Sequence, residues 1–269
     1  MSRFAGAPAT KWLLILNIAI FFIDVAGVGR ESWGRLTPML AFTMEDTFGR
    51  LQLWRLVSFQ FLHGGLGHLM FNMFAIYMFG GIVERVLGTR RYLAYYLLCG
   101  VAGALFYALL AWVGWLGSGV LVGASAGIFG IIVALIVIAP DMQVMLLIPP
   151  IPMKMKTLGM VMLGIGVYTV LTTGNNAGGE AGHLGGAFLG FVLMKFPRLL
   201  DWTEFIGKSQ IVVKAKTPRM NYQAKVRPRT ELNLDTTEID RILDKVSTEG
   251  LHSLTDEERE TLHRVSNRD

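Results

Sequence analysis

The sequence predicts an all-α, polytopic membrane protein with six membrane-spanning helices, an interfacial first loop and a small soluble helical hairpin at the C-terminal end. Of its 269 residues, 52% are hydrophobic, and the mean hydropathy is +0.47. Charged residues make up 17% of the chain, whereas a soluble domain carries about a quarter. The middle of the chain is a series of apolar runs, each close to the roughly 20 residues that a helix needs to cross a bilayer.

The net charge of +5 is carried by basic residues that mostly flank the apolar runs. This placement favours a role in membrane orientation over binding of nucleic acid. The single cysteine, Cys99, lies inside an apolar run. The composition therefore excludes an internal disulfide and a cysteine-rich metal site, and the sequence predicts no cofactor.

The apolar runs divide the chain into four predicted segments. Residues 1–11 form a cytoplasmic tail, residues 12–196 the six-span domain, residues 197–235 a basic juxtamembrane linker, and residues 236–269 the soluble helical hairpin. The six predicted spans are Trp12–Val28, Leu66–Leu87, Tyr92–Trp115, Ser125–Ala139, Thr157–Leu171 and Glu180–Met194.

Trp12 marks the membrane interface at the start of the first span. This span is similar to a signal peptide, but Asp24 interrupts its end and no convincing small-residue cleavage site follows, so we expect it to be retained. The connection Gly29–Gly65 mixes apolar and polar residues, which predicts a hairpin of amphipathic helices in the interfacial zone. Trp54 and Arg55 are expected to anchor this hairpin at headgroup level.

Glycine and proline bound the later spans. A glycine-rich turn, Leu116–Leu121, precedes the fourth span, which Pro140 ends. Because this span is short, its beginning should lie below the membrane surface. Several prolines occur in the connection Gln143–Met155. Proline does not fit a helix interior, so this connection is not predicted to be a continuous helix. A glycine-containing loop, Thr172–Gly179, precedes the last span.

The distribution of basic residues predicts the orientation of the chain. Six spans place both termini on one side of the membrane. Basic residues occur in the connections between spans two and three and between spans four and five, but not in Leu116–Leu121 or Thr172–Gly179. The positive-inside rule then makes both termini cytoplasmic. It also places the Ser125 end of span four and the Glu180 end of span six on the outer side.

The chain changes character after Phe196, where a basic stretch begins that is expected to lie against anionic lipid. Beyond it, apolar residues at helical spacing predict a helix around Ile239–Val246, which Gly250 ends. Thr255 and Glu258 have the spacing of a capping box, which predicts the start of a second helix.

Five strongly polar residues lie inside the predicted spans, where each is costly and requires an explanation: His68, Asn72, Glu84, Ser125 and His183. His68 and Asn72 are four residues apart and share one helix face. Glu84 lies near the cytoplasmic end of its span. We interpret it as structural, paired with Arg85, Arg90 or a helix N-terminus.

Ser125 lies among residues with almost no side chain, in the stretch Gly123–Gly130. Small neighbours such as Gly123 leave its hydroxyl approachable. The G-x-S-x-G pattern is weak in a glycine-rich chain, and a serine in a membrane helix is often only a packing residue. The interpretation of Ser125 therefore depends on whether a base reaches it.

His183 is the candidate base. It lies beside a seam of glycines at every fourth position, Gly182, Gly186 and Gly190, which lets span six pack closely against a neighbour. If that neighbour is span four, His183 approaches Ser125 at a similar depth.

An imidazole beside a serine hydroxyl can take its proton as general base and return it to the leaving group. Phe129, four residues after Ser125, could stack on His183 and hold its ring. Attack on a carbonyl creates an oxyanion, which needs preorganised donors. The Ser125 N–H at a helix N-terminus is one candidate donor, and His68 and the Asn72 amide are the others.

Each of these residues also has a structural interpretation. His183 alone could be an interhelical hydrogen bonder, and His68 with Asn72 a structural polar pair. His63 could be a plain loop residue or could order the interfacial hairpin. A zinc site made of His63, His68 and His183 is disfavoured because no H-E-x-x-H pattern occurs.

Taken together, these residues resemble those of the rhomboid family of intramembrane serine proteases, over roughly Trp12 to Phe196. The resemblance rests on Leu53-Trp54-Arg55, on His63 with His68 and Asn72, on Gly123-Ala124-Ser125, and on His183 with Gly186. It implies a catalytic dyad of Ser125 and His183, and an oxyanion hole formed by His68, Asn72 and the Ser125 N–H. It also implies that Trp54 and Arg55 are structural.

The resemblance further implies substrates and a location. The substrates would be single-span membrane proteins, with helix-destabilising residues near the cut, that enter laterally past span five. The protein would be a multi-pass protein of a bacterial inner membrane. Ala126 stands where many members have glycine, and Phe129 where some have tyrosine; neither change is expected to abolish activity.

Two other functions are considered. The main alternative function is that of a catalytically inactive rhomboid-like protein that binds membrane clients. A small-molecule transporter is disfavoured because the spans lack a clear inverted repeat or paired charges at mid-membrane.

Overall fold

The computed structural model describes residues 6–26, 34–145, 150–204, 236–249 and 251–266, and all structural statements concern these residues. The chain divides into two compact units, Met1–Ile211 and Val212–Asp269. Most of the predicted basic linker, residues 205–235, lies outside the described residues, as do residues 1–5 of the predicted tail. The first part of that linker forms a 3₁₀ helix, Pro197–Glu204.

The first unit is a helical bundle with one small hairpin of strands. In chain order its helices are α1 (Pro8–Val25), α2 (Thr37–Leu40), α3 (Arg55–Ser58), α4 (Leu66–Ala75), α5 (Gly81–Leu87), α6 (Thr89–Trp112), α7 (Ser125–Ile138), α8 (Met155–Leu171) and α9 (Ala177–Lys195). A π-helical stretch, Ile76–Gly80, joins α4 to α5. The strands β1 (Gln143–Met145) and β2 (Pro152–Lys154) pair antiparallel between α7 and α8.

Several of these helices have membrane-spanning character. In the part of the chain that the structure describes, three helical segments are long and apolar enough to cross a bilayer: α1, the combined segment Leu66–Leu87, and α6. The helices α7 and α8 are apolar but shorter. The last long helix, α9, packs on α6, α7 and α8. The predicted all-α polytopic membrane architecture is therefore confirmed.

The helix α7 lies at the centre of the bundle. Ten consecutive residues, Ala126–Leu135, are buried, which explains why this helix is hydrophobic on every side. Its 14 residues rise about 21 Å, less than the roughly 30 Å thickness of a hydrocarbon core. A helix of this length can leave its first residue, Ser125, below the membrane surface.

The glycine seam of α9 brings that helix onto α7. A Cβ added at Gly190 would lie 2.9 Å from the Gly130 Cα, and one added at Gly186 would collide with the Ala126 backbone. The third seam residue, Gly182, instead has its carbonyl oxygen against Gly103 of α6. Because only hydrogen fits at these positions, the two backbones come close enough to set α7 and α9 side by side.

The first loop is organised by a buried arginine. Arg55 is only 4% exposed, and its guanidinium donates to the Ala41 carbonyl at 2.6 Å and the Pro38 carbonyl at 2.8 Å. The neighbouring Trp54 is exposed and donates to the Met39 carbonyl at 3.2 Å. The expectation of headgroup anchoring is thus wrong for Arg55, because its guanidinium is buried against the carbonyls of its own loop and pairs with the Asp46 carboxylate at 3.4 Å.

The Glu84 side chain caps the N-terminus of α1. Its buried carboxylate accepts hydrogen bonds from the Ala9 N–H at 2.9 Å and the Thr10 N–H at 2.7 Å. The Thr10 and Thr89 hydroxyls donate to it as well, at 2.7 and 2.9 Å. A carboxylate satisfies the orphan amides of a helix start. This contact is the third of the three roles considered for Glu84, and it explains why the helix begins at Pro8, before Trp12.

Replacing Glu84 with glutamine is expected to destabilise the bundle by about 2 kcal/mol, because an amide nitrogen now faces donors in a buried site. The measurement is the free energy of unfolding in mild detergent. The matched control is Arg85→Gln, an exposed neighbour that should change stability by less than about 0.5 kcal/mol. Equal stability of Glu84→Gln and the parent would contradict this role for Glu84.

The second unit is a small helical hairpin. It consists of α10 (Thr236–Glu249), a 3₁₀ turn (Leu251–Ser253) and α11 (Asp256–Ser266). The predicted capping box is present, since the Thr255 N–H donates to Glu258 Oε2 at 2.9 Å and the Glu258 N–H to Thr255 Oγ1 at 3.3 Å. Lys245 on α10 also binds the Glu258 carboxylate, at 2.9 Å.

These contacts predict an acid-sensitive hairpin. The Thr255 N–H, followed by the Lys245 ammonium, lowers the pKa of Glu258 from its ordinary value of 4.5 to about 2. A depressed acid stabilises the folded state above its unfolded pKa, and this contribution is lost as the pH falls through the folded pKa. Amide hydrogen exchange in α11 of the full chain, corrected for intrinsic rates, should therefore lose protection between about pH 4.5 and pH 2.

The variant Glu258→Gln should lack this pH dependence and show weaker protection of α11 already at pH 6. The exposed neighbour Glu257 supplies the control Glu257→Gln, which should behave like the parent. A Glu258→Gln profile that follows the parent from pH 6 to pH 2 would rule out this source of acid sensitivity.

Candidate active site

A cavity of about 1220 Å³ opens at the end of the bundle where α4, α7 and α9 begin. Its lining includes Ser125 from α7, His183 from α9, and His68 with Asn72 from α4. Three helices that are far apart in sequence thus bring the predicted polar residues to one space. Gly123, the other predicted residue of the serine segment, also lines this cavity.

Ser125 is the first residue of α7, so its N–H has no partner within the helix. The segment that leads to it is fixed by backbone bonds: Leu121 pairs with Phe42 of the first loop, and the Gly123 N–H donates to the Phe59 carbonyl at 2.9 Å. Gly123 has a φ of +126°, a conformation that residues with a side chain rarely adopt. The first loop therefore holds the serine segment in place.

The His183 ring is held on one face and at one edge. Phe129 of α7 is stacked on it, with centroids 4.2 Å apart and planes at 9°. The Glu180 carboxylate, one turn earlier on α9, lies 3.0 Å from His183 Nδ1. Among the described residues, no hydrogen bond joins Ser125 to His183. Catalytic hydrogen bonds are often long until substrate binds.

His68 and Asn72 lie on the α4 side of the serine. A Cβ added at Gly123 would be 2.7 Å from both Cε1 and Nε2 of His68, and 3.6 Å from Ser125 Oγ. The His68 ring is therefore in direct contact with the serine segment. Asn72 is 7% exposed, and within the described part of the chain its amide nitrogen has no hydrogen-bond partner. Buried polar groups are normally hydrogen-bonded. The N–H₂ group of Asn72 is therefore suited to donate to the oxygen of an incoming molecule.

His63 supports His68 from behind. The two rings meet edge to face, with centroids 5.0 Å apart. Burial, followed by the field of His68, lowers the pKa of His63 from 6.5 to about 3. His63 is therefore neutral at pH 7, and it adds no positive charge beside the His68 ring. Within the described ranges, no cluster of three or more His, Cys, Asp or Glu residues is arranged to hold a metal ion.

Sequence reasoning missed Glu180, which was interpreted only as the start of the sixth span. The signal was available, because residues three apart on a helix are neighbours and Glu180 precedes His183 by three.

The cavity has an apolar arm as well as a polar end. Phe71 and Phe74 of α4 line it on one side, and Leu158 and Met162 of α8 on the other. Both phenylalanines are at least 37% exposed. These side chains of α4 and α8, the apolar arm of the cavity, line the same space as Ser125, and such a lining suits an apolar chain.

Comparisons with known proteins agree with this architecture. The Rhomboid domain family matches residues 50–197 of the chain, and a Family of unknown function (DUF6576) matches residues 229–268. Rhomboid protease GluP of Bacillus subtilis (strain 168) is 29% identical over 191 residues, which cover 68% of this chain and 34% of that protein.

Two further relatives are similar over shorter or comparable stretches. Rhomboid protease GlpG of Pectobacterium atrosepticum is 38% identical over 88 residues, 33% of this chain and 30% of that protein. RHOMBOID-like protein 7 of Arabidopsis thaliana is 29% identical over 182 residues, 66% of this chain and 50% of that protein. The chain therefore spans half or less of the length of these relatives.

Proposed function

Because the chain belongs to the rhomboid family, we propose that it is an intramembrane serine endopeptidase that cleaves single-span membrane proteins within or near the bilayer. In this proposal residues 12–196 are the protease domain, and residues 197–235 and 236–269 are a linker and an appended hairpin. The main support is that Ser125, His183, His68 and Asn72 line one cavity although they come from three helices.

The proposed reaction begins with Ser125. Its Oγ attacks the carbonyl carbon of the scissile peptide while His183 Nε2 takes the hydroxyl proton. His183 then gives this proton to the leaving nitrogen, the C–N bond breaks, and the acyl group remains on Ser125. Water repeats the sequence, with His183 again as base, which releases the new carboxyl end and restores the serine.

The oxyanion formed in each step carries charge that the site must stabilise. The Ser125 N–H, the His68 ring and the Asn72 amide are the proposed donors. Two observations support this assignment: the Asn72 amide nitrogen has no hydrogen-bond partner among the described residues, and His68 contacts Gly123 beside Ser125. Each such donor is typically worth about 3–4 kcal/mol of the barrier.

The apolar arm between α4 and α8 supports lateral entry of a membrane-embedded substrate. A substrate helix would have to unwind before its backbone could reach Ser125, since a helical carbonyl is already hydrogen-bonded. We therefore expect cleavage at segments that contain helix-destabilising residues such as glycine or proline.

Labelling with a fluorophosphonate probe tests the function. The protein in liposomes should be labelled, the adduct should map to Ser125 by mass spectrometry, and a single-span reporter should be cut in the same preparation. Heat-unfolded protein is the control and should remain unlabelled. If the reporter is bound but not cut and Ser125 stays unmodified, the protein is a client-binding rhomboid-like protein instead.

We also propose that the protein resides in a bacterial inner membrane with both termini cytoplasmic and the serine end of α7 outward. The basic connections support this orientation. An impermeant maleimide added from outside should label Ser118→Cys in the exposed turn before α7, while the native Cys99 is buried. Labelling that requires opened membranes would refute the orientation.

A further inference from the structure

The first turn of α9 places a carboxylate beside the candidate base. Glu180 Oε2 lies 3.0 Å from His183 Nδ1, and the two side chains are only 20% and 16% exposed. At this distance the carboxylate accepts a hydrogen bond from a protonated Nδ1. The contact joins residues one turn apart on the same helix, so α9 itself fixes their separation.

The neighbouring helix leaves room for this carboxylate. Gly166 of α8 is buried, and a Cβ added to it would lie 3.0 Å from Glu180 Oε2 and 3.4 Å from a Leu184 methyl carbon. The carboxylate is therefore confined between α8 and the His183 ring. Its place in the first turn of α9 is favourable as well, because the N-terminal end of a helix attracts negative charge.

Together these contacts determine which nitrogen of His183 can act. A hydrogen bond from Nδ1–H to Glu180 leaves the lone pair on Nε2, the atom that must take the proton of Ser125. Phe129 fixes the plane of the ring by stacking, whereas Glu180, at 3.0 Å from Nδ1, selects the tautomer. A carboxylate in this position also stabilises the imidazolium that forms when His183 accepts a proton.

We propose that Glu180 is a positioning residue that holds His183 in its reactive tautomer, so that Ser125, His183 and Glu180 form a triad in which Glu180 takes up no proton. This inference rests on the proposed protease function. It adds to the Ser–His pair a third member that does not touch substrate and acts only through His183.

The test compares Glu180→Gln with the parent in liposomes. Glutamine keeps the size of the side chain, but its amide can donate to Nδ1 and so favour the wrong tautomer. We expect kcat per active site, titrated with the fluorophosphonate probe, to fall by as much as about 10⁴-fold, with KM changed less than twofold. The second-order rate of labelling of Ser125 should fall by a similar factor.

Asp141→Asn is the matched control. It removes one carboxylate from a residue that is exposed and paired with Lys154 and Lys156 between α7 and α8, and it should leave kcat unchanged. If Glu180 only stabilised the start of α9, Glu180→Gln would lower the unfolding midpoint and the fraction of titratable sites while kcat per titrated site stayed at the parent value. That outcome would overturn the inference.

The two proposals fail in different ways. If the parent protein neither cuts the reporter nor labels at Ser125, the proposed function is wrong. If the parent does both and Glu180→Gln has the parent kcat and labelling rate, only the positioning role of Glu180 is wrong.

Discussion

Replacing Ser125 with alanine is expected to abolish cleavage of a single-span reporter, with kcat lowered by a factor of about 10³ or more. The reason is that the hydroxyl supplies the attacking oxygen, and no other group is proposed to do so. Cleavage is measured in liposomes at saturating reporter. Ser118→Ala, in the exposed turn before α7, is the matched control and should cut at the parent rate.

The companion variant His183→Ala sharpens this prediction. Residues that act as a unit lose activity non-additively, so the double variant should be no slower than Ser125→Ala alone. A Ser125→Ala protein that still cuts at the parent rate would eliminate the serine mechanism. A double variant slower than either single variant by the product of their effects would show that the two residues do not act as one unit.

The second large effect is expected for Gly123→Ala. The new methyl group would lie 2.7 Å from two atoms of the His68 ring and would push this proposed oxyanion donor away. Loss of one such donor lowers kcat by about 10²–10³. The φ of +126° at this position adds strain of about 1–3 kcal/mol. Both kcat and the unfolding midpoint are measured.

Gly114→Ala separates the two causes. Gly114 also has a positive φ, +77°, but a Cβ there would meet nothing within 4 Å. This control should lose stability through backbone strain and retain the parent kcat. If Gly123→Ala behaves in the same way, displacement of His68 is unimportant and its proposed role as a donor fails.

Much of the bundle could be predicted because it depends on the spacing of residues that are close together in the sequence. The glycines at 186 and 190 predicted a close helix contact, and the structure places them against α7. The four-residue spacing of Ser125 and Phe129 put the phenylalanine on the serine's helix face, and its ring is stacked on His183. The capping box of Thr255 and Glu258 was equally local and is present.

Contacts between distant parts of the chain could not be predicted in this way. The sequence left three partners open for Glu84, since no pattern connects it with amides 75 residues away. The burial of Arg55 depends on carbonyls of its own loop, and no sequence pattern indicates that these carbonyls surround its guanidinium. The link from Phe42 to Leu121 joins two segments that no periodicity relates.

The long-range bond from Ala9 to Glu84 also has a consequence for synthesis of the protein. When the first helix leaves the ribosome, the amides at its N-terminal end lack their hydrogen-bond acceptor. The Glu84 carboxylate, which accepts from the Ala9 N–H, follows 75 residues later. Until the second hydrophobic segment has been released into the membrane, those amides must rely on water or on lipid headgroups. The early helices are therefore expected to settle as a pair during translation, and a chain stalled before Glu84 should leave its leading helix loosely inserted.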